Sequence, residues 1–398
     1  VSARPAAEAL FRQLTGRVPE GVWSSAGRAN LIGEHTDYNE GFVLPFAIQH
    51  RTYAAAGMHA DLVIRVASTF APDPFELQLD DLATVFSGVP GAAVASRSVP
   101  EWAAYPLGVA WAALLAAGRT GADVPGVDIA IASDVPIGAG LSSSAAIEGS
   151  VAAALNDLWQ LDLGPLDMAR VGRRAENEAV GAPTGIMDQV SSIMGRADAA
   201  TFLDCRSLET RSVDLGLERE GLTLLAIDTR VEHAHASGGY GDRRASCERG
   251  AAALGVPSLR DVAATDLDRA REMLDDVTFR RVRHIVTENQ RVLDTVETLG
   301  ARGPRAIGDL LVASHASMRD DFEISVPELD TAVDAALAAG ALGARMTGGG
   351  FGGSAIALIE TSAVDTVAAA AAAAFAARGF AAPHAFTVVP SDGARRDA

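Results

Sequence analysis

Short apolar runs bounded by Gly, Pro and Asp dominate the first third of the chain, and longer stretches with helical spacing dominate the rest. The pattern predicts a helix over residues 5–14 and strands near 22–24, over 42–48 and over 62–66. Val127, Ile129 and Ile131 alternate with smaller or polar residues, so a half-buried strand is expected there, running directly into the stretch from Asp134 to Gly140. Helices are predicted over 143–161 and 163–179, then a Gly/Pro break at 181–185 and a third helix from Met187. The second half opens with a strand over 222–227 and continues with charged helical stretches near 241–253, 266–274 and 279–299. A glycine-rich loop at 347–353 feeds a strand over 354–359, and the alanine-rich segment 364–377 reads as a surface helix. Hydrophobic periodicity lapses and charge rises over 204–221, which sets an expected division into residues 1–210 and 211–398.

A length of 398 residues suits two such domains. No run approaches the roughly 20 apolar residues of a membrane span. The first residues carry no apolar run behind their positive charge, so no secretory signal is expected and the cytoplasm is the expected compartment. A net charge of −18 argues against nucleic acid and anionic membranes as partners. All 33 basic residues are arginine. That removes the lysines on which P-loop, protein-kinase and Schiff-base chemistries rely, so any phosphate must be held by backbone N–H groups, arginine or a metal. Cys205 and Cys247 stand alone, with neither the spacing of a zinc site nor the number of a disulfide framework, and are expected to be reduced.

Four clusters carry candidate chemistry. In the stretch 27–39, Glu34, His35 and Asp37 place three hydrogen-bonding side chains within four residues after a strand. Such a group suits the hydroxyls of a polyol, and Arg28 adds fixed positive charge where negative charge develops. The same composition also suits a solvated turn. Gly138, Ala139, Gly140, Leu141, Ser142, Ser143 and Ser144 lie between a strand and a helix, where turned backbone and the helix dipole can cradle phosphates. A plain Ser/Gly helix cap is the alternative. Glu176, on a helix, is a candidate Mg²⁺ ligand, and Asp188, flanked by apolar Met187 after the turn at Gly185, a candidate general base. Taken singly, each acid also suits a cap or a surface charge. Gly348, Gly350 and Gly353 match G-x-G-x-x-G, but a strand follows rather than a helix. A dinucleotide site is therefore rejected in favour of a hairpin that meets a ligand or neighbouring loop with bare backbone. His233 and His235 read as loop or packing histidines.

These segments resemble the GHMP small-molecule kinases and, within them, the galactokinase family. Residues 27–39 are similar to that family's sugar signature, 136–145 to its phosphate loop, 185–189 to its catalytic-aspartate segment and 345–353 to its third motif. Tyr240, followed by Arg243, Arg244, Cys247 and Glu248, resembles its sugar-contacting tyrosine segment, although Gly238, Gly239, Gly241 and Asp242 depart from it. The resemblance implies an α+β fold of two domains: an N-terminal α/β domain like the second domain of ribosomal protein S5, and a C-terminal ferredoxin-like α+β domain, with the active site between them. It implies transfer of the ATP γ-phosphate to the C1 hydroxyl of galactose with Mg²⁺, by a monomer. By matching position, Asp188 would be the base and Arg28 would steady the transition state. Ser144 and Glu176 would bind Mg²⁺, and the backbone from Gly138 to Ser144 would wrap the phosphates. Glu34, His35, Asp37, Gly185, Asp188 and Tyr240 would contact galactose. Trp102 and Tyr105 resemble the family's segment near the adenine, with a core role equally open. A kinase for N-acetylgalactosamine or arabinose, and a non-catalytic sugar and ATP sensor, would share most of these motifs. The intact set Arg28, Ser144, Glu176 and Asp188 argues against the sensor.

Overall fold

The computed structural model describes residues 3–136, 138–231 and 236–397, with the side chains of residues 236–238 left out. Ile137, His233 and His235 lie outside the described residues. The strands are β1 (Gly21–Asn30), β2 (Phe42–Val43), β3 (Pro45–His59), β4 (Val63–Ser68), β5 (Phe75–Gln78), β6 (Gly126–Ser133) and β7 (Ala199–Asp204). After these come β8 (Thr210–Asp214), β9 (Leu222–Asp228), β10 (Gly343–Thr347), β11 (Ser354–Glu360), β12 (His384–Val388) and β13 (Arg395–Arg396). Among the described residues they form three sheets, in the orders β13-β1-β3-β6-β4-β5, β10-β11-β9-β12 and β2-β7-β8. The pair β4/β6 is parallel and the other pairs are antiparallel.

Side-chain alternation decides which core each strand feeds. Val22 and Ala55 turn to one face of the first sheet, beneath Ala7 and Phe11 of the helix Ala3–Thr15. Trp23, Ala54 and Ala56 turn to the other, where the helices Glu101–Ala116 and Ser143–Trp159 cover them. In the second sheet, Leu225 and Ile227 of β9 enter the core under the C-terminal helices, whereas Leu222, Leu224 and Ala226 face Leu31, Leu44 and Phe46 of the first half. Ala355, Ala357 and Ile359 of β11 repeat the first choice, and Ile356 and Leu358 the second. Both faces of this sheet are thus dry, which explains its nearly continuous apolar runs. The alanine-rich helix Val364–Arg378 buries Val367, Ala371 and Phe375, one stripe at helical spacing.

The expected strand near 22–24 is the middle of the ten-residue β1, whose far half carries the sugar-signature residues. The expected helix over 163–179 is an α-helix, Pro165–Arg174, that widens into a π-helical turn at Ala175–Val180. The expected division at residue 210 meets the start of β8, and the chain changes sheet between β8 and β9. β8 is an edge strand with Arg211 and Ser212 exposed, which gives a strand the polarity of a linker. The last strand, β13, returns to the first sheet and pairs with β1 at Trp23 and Ser24.

Candidate active site

One cleft of about 810 Å³ gathers the sugar-signature turn, the phosphate loop, the Asp188 segment, Tyr240 and the third glycine motif. Its size falls within the usual range for small-molecule sites. Arg28 enters it from a bulge in β1, where the register with β3 shifts between Ala26 and Arg28. Gly27 makes the bulge fit, since a Cβ there would lie 2.9 Å from the Leu141 carbonyl oxygen of the phosphate loop. Arg28 Nε and one terminal nitrogen each donate to an oxygen of Asp188 at 2.8 Å, and the other terminal nitrogen donates to the Gly140 carbonyl at 2.6 Å. The Ser142 hydroxyl donates to the same Asp188 Oδ2 that one arginine nitrogen uses. A carboxylate has about four lone-pair sites, so these three bonds leave one, on Oδ1, for an incoming hydroxyl.

Left-handed conformations at Gly138 (φ 75°), Gly140 (φ 73°) and Ser142 (φ 52°) wind the phosphate loop onto the helix Ser143–Trp159. The first turn of that helix has no carbonyl partners for its N–H groups within the helix, which leaves Ser143, Ser144 and the turn before them suited to an anion. The third motif closes the far wall. Thr347 Oγ1 bridges the backbone N–H and carbonyl of Asn30 at 2.9 and 3.0 Å, and Ser354 Oγ donates to the Ala139 carbonyl at 2.7 Å. A Cβ at Gly348 would lie 2.8 Å from the Gly140 carbonyl oxygen and one at Gly350 2.5 Å from that of Ile324, so the glycine hairpin meets its neighbours with bare backbone, and the strand β11 follows it.

Burial shapes the sugar-signature side chains. Glu34, 1% exposed, pairs with Arg345 and accepts from the Gly348 N–H at 3.0 Å. Burial raises its pKa against the pull of Arg345. The neighbouring Glu288 is held down at about 2, because Arg291 and Arg345 outweigh the effect of burial. His35 adopts φ 63°, and burial lowers its pKa to about 3, so it is neutral at pH 7. Its Nε2 therefore carries the proton, which it donates to the Gly349 carbonyl at 3.1 Å, and Nδ1 accepts from the Tyr38 hydroxyl at 2.8 Å. Both ring nitrogens are thus engaged within the protein, and the ring packs against Tyr240 at 4.8 Å and Phe322 at 4.9 Å between centroids.

Burial and the nearby Asp188 push the Asp37 carboxyl up to about 6. The resemblance implies that sugar hydroxyls donate to its ionised form, and on that expectation galactose affinity falls about tenfold between pH 7 and pH 5. The sign for stability is opposite: the raised pKa favours the folded protein below about 4 and that gain is lost as pH rises through about 6. Calorimetric titration of galactose across this range checks the first effect, and a flat profile would contradict it. Gly185 sits where a Cβ would come within 1.7 Å of Asp37 Oδ2. Gly185→Ala is therefore expected to displace Asp37 at a cost of about 1–3 kcal/mol in stability and, where Asp37 holds the sugar as the resemblance implies, to raise the galactose Kd at least tenfold, as paired thermal unfolding and calorimetry would show.

Glu176 lies on the π-helical turn, a feature often found at functional sites, and is 6% exposed. Its Oε2 accepts from Thr184 Oγ1 at 2.7 Å and from Gln189 Nε2 at 2.8 Å, and the Ser144 hydroxyl also hydrogen-bonds to it. Among the described residues neither Glu176 nor Asp37 forms a salt bridge, although Arg173 acts on Asp37 from farther off, whereas Asp188 pairs with Arg28. A buried carboxylate beside a hydroxyl and a second acid, without its own cation, fits a divalent ion with oxygen ligands. Among the described residues no three His, Cys, Asp or Glu side chains form a metal cluster.

The two expected adenine neighbours separate. Tyr105 lines the cleft, whereas Trp102 is half-buried against the first apolar core and is not among the lining residues. Trp102 and Tyr105 stand three residues apart and so share one side of the helix Glu101–Ala116, yet Trp102 packs against the first apolar core while Tyr105 reaches the cleft. Tyr240 sits in the helix Ala236–Leu254, where Gly239 admits the Phe351 ring: a Cβ would meet it at 2.6 Å. The sequence names Arg345 only as the start of a glycine motif, yet this fully buried side chain ties Glu34 to the backbone carbonyls of Asn30 and Leu31 at 3.1 and 2.9 Å. An arginine in an otherwise apolar or small strand was the available signal.

Family models match three segments: the galactokinase galactose-binding signature at residues 9–58, the GHMP kinases N terminal domain at 104–196 and the GHMP kinases C terminal domain at 295–377. The galactokinase of Streptomyces coelicolor is 54% identical over 97% of this chain and 96% of its own length. The chain belongs to the galactokinase family. A galactokinase of Mycobacterium tuberculosis is 44% identical over 85% of this chain and 88% of its own. Among solved structures, the galactokinase of Lactococcus lactis complexed with galactose superposes with a TM-score of 0.89 at 30% identity, over 98% of this chain and 99% of that one. The mevalonate kinase of Methanococcus jannaschii shares the fold, with a TM-score of 0.65 at 16% identity over 93% and 98% of the two chains. The two-domain GHMP kinase fold implied by the motifs is the one observed. No helix among the described residues is long and apolar enough to cross a membrane.

Proposed function

We propose that the protein is a galactokinase in which Asp188 accepts the proton of the galactose C1 hydroxyl as that oxygen attacks the γ-phosphorus of ATP. The P–O bond to the β-phosphate breaks, giving galactose 1-phosphate, ADP and a proton. The observation that carries this reading is the bidentate Arg28–Asp188 pair, set between the sugar-signature turn and the phosphate loop of one cleft. Arg28 fixes the carboxylate and offsets charge on the phosphoryl group in transit.

Glu34, Asp37, Gly185 and Tyr240 form the galactose subsite, with His35 as an uncharged platform behind it. Gly138 to Ser144 bind the phosphates through backbone N–H groups, and Tyr105 lies against the nucleotide. Ser144 and Glu176 would hold Mg²⁺, which when bound neutralises part of the phosphate charge. Two free cysteines support a reducing compartment, the cytoplasm.

The test is ADP release with Mg·ATP across galactose, N-acetylgalactosamine, arabinose, glucose, mevalonate and homoserine. Selective turnover of galactose is expected. Selective turnover of another substrate would overturn the sugar assignment, and galactose binding without any turnover would favour a sensor.

A further inference from the structure

We propose that Glu148 and Gln189 are positioning residues that hold Glu176 in the orientation from which it binds the magnesium ion of the nucleotide. The inference rests on the reading of Glu176 as a metal ligand. Gln189 directly follows Asp188 and is fully buried, as is Glu148, one turn beyond Ser144 in its helix. The Gln189 amide nitrogen donates to Glu148 Oε2 at 2.9 Å and to Glu176 Oε2 at 2.8 Å, which uses both of its protons. Glu148 Oε1 and Gln189 Oε1 are buried without a hydrogen-bond partner. Such a cost is hard to explain in a pair that serves packing alone, since an apolar pair of the same shape would avoid it. The helix Pro165–Arg174 closes tightly over the pair: a Cβ at Gly172 would stand 3.0 Å from Gln189 Cγ and 3.2 Å from Glu148 Oε2.

The residue types fit this task. An arginine or lysine in place of Gln189 would neutralise Glu176 and compete with the metal, and an acid would repel it. A neutral amide with two protons orients the carboxylate and leaves its charge for the ion, while Glu148 accepts the second proton and so fixes which way the amide points. Burial raises the Glu148 pKa well above the usual range, with Glu176 adding to the effect.

Mn²⁺ binding to the full chain saturated with a non-hydrolysable ATP analogue, read by electron paramagnetic resonance, tests the proposal with Gln189→Met, Glu148→Met, Glu148→Gln and Glu176→Gln. Galactose affinity without metal or nucleotide is measured beside it as a check on the fold. Gln189→Met and Glu176→Gln are expected to weaken Mn²⁺ about 10- to 100-fold with galactose affinity unchanged. Glu148→Met weakens it as well, whereas Glu148→Gln, which keeps an acceptor oxygen toward Gln189, stays near the wild type. Wild-type Mn²⁺ affinity in Gln189→Met alongside a loss in Glu176→Gln would overturn the positioning role alone. Wild-type affinity in Glu176→Gln would overturn the metal reading and this inference together. Equal losses of Mn²⁺ and galactose affinity would assign the pair a purely structural role. If Gln189→Met does not fold, equal Mn²⁺ affinities in the two Glu148 variants overturn the proposal.

Discussion

Asp188→Asn is expected to lower kcat about 10²- to 10⁴-fold while leaving a folded protein that still binds galactose and nucleotide. The substitution keeps the shape of the side chain and one carbonyl oxygen for Arg28, but it removes the group that can take a proton. Asp188 is 24% exposed at its side chain and pairs with Arg28 at the cleft wall rather than inside a core, so its loss takes little from the fold. Steady-state kinetics with calorimetry on the same preparation separates the two effects. A kcat near the wild-type value would remove Asp188 as the base, and loss of galactose binding with loss of turnover would make it a binding residue instead.

The largest effect on stability is expected at Arg345. Its guanidinium is fully buried, pairs with Glu34, lies 3.7 Å from Glu288 and donates to the Asn30 and Leu31 carbonyls. Arg345→Met leaves Glu34 buried without a cation, and a broken buried pair typically costs about 3–5 kcal/mol. Arg291 still holds Glu288 at 2.7 Å, so the loss falls chiefly on the sugar-signature turn. Chemical denaturation should show the destabilisation, and the galactose KM should rise because Glu34 no longer has a fixed orientation. An unchanged denaturation midpoint would mean that Glu34 is content as a neutral acid, in line with the upward shift that burial imposes on it.

Much of the site was legible because its chemistry is local in sequence. Glu34, His35 and Asp37 share one turn, and Gly138 to Ser144 share one strand-to-helix junction, so their proximity needs no knowledge of the fold. What the sequence could not show is what each group is already bonded to. His35 has the composition of a sugar ligand, but Tyr38 and Gly349, the latter more than 300 residues away, occupy both of its nitrogens. Trp102 and Tyr105 read alike as aromatics of one segment on one side of one helix, and what each packs against is decided by residues far away in sequence. The π-helical turn that presents Glu176 leaves the same apolar spacing as an α-helix over so few residues. Periodicity showed part of the fold. It did not show the helices Glu101–Ala116, Gly308–Ser317 and Pro327–Ala338 or the strands β7, β10 and β12, the first of these helices being buried on nearly every side and so without a polar face. β8 and β13 are short, polar edges whose pairing is decided by the rest of the sheet.

The central claim is that this cleft transfers phosphate to the anomeric oxygen of galactose. Phosphorus NMR of the reaction of the wild-type protein with Mg·ATP and galactose tests it most directly, because the coupling of the new phosphate to the sugar protons identifies the carbon that bears it. The account predicts one phosphorylated product, galactose 1-phosphate, formed in step with ADP. Phosphate on another hydroxyl, or ADP with free inorganic phosphate in place of a sugar ester, would contradict it.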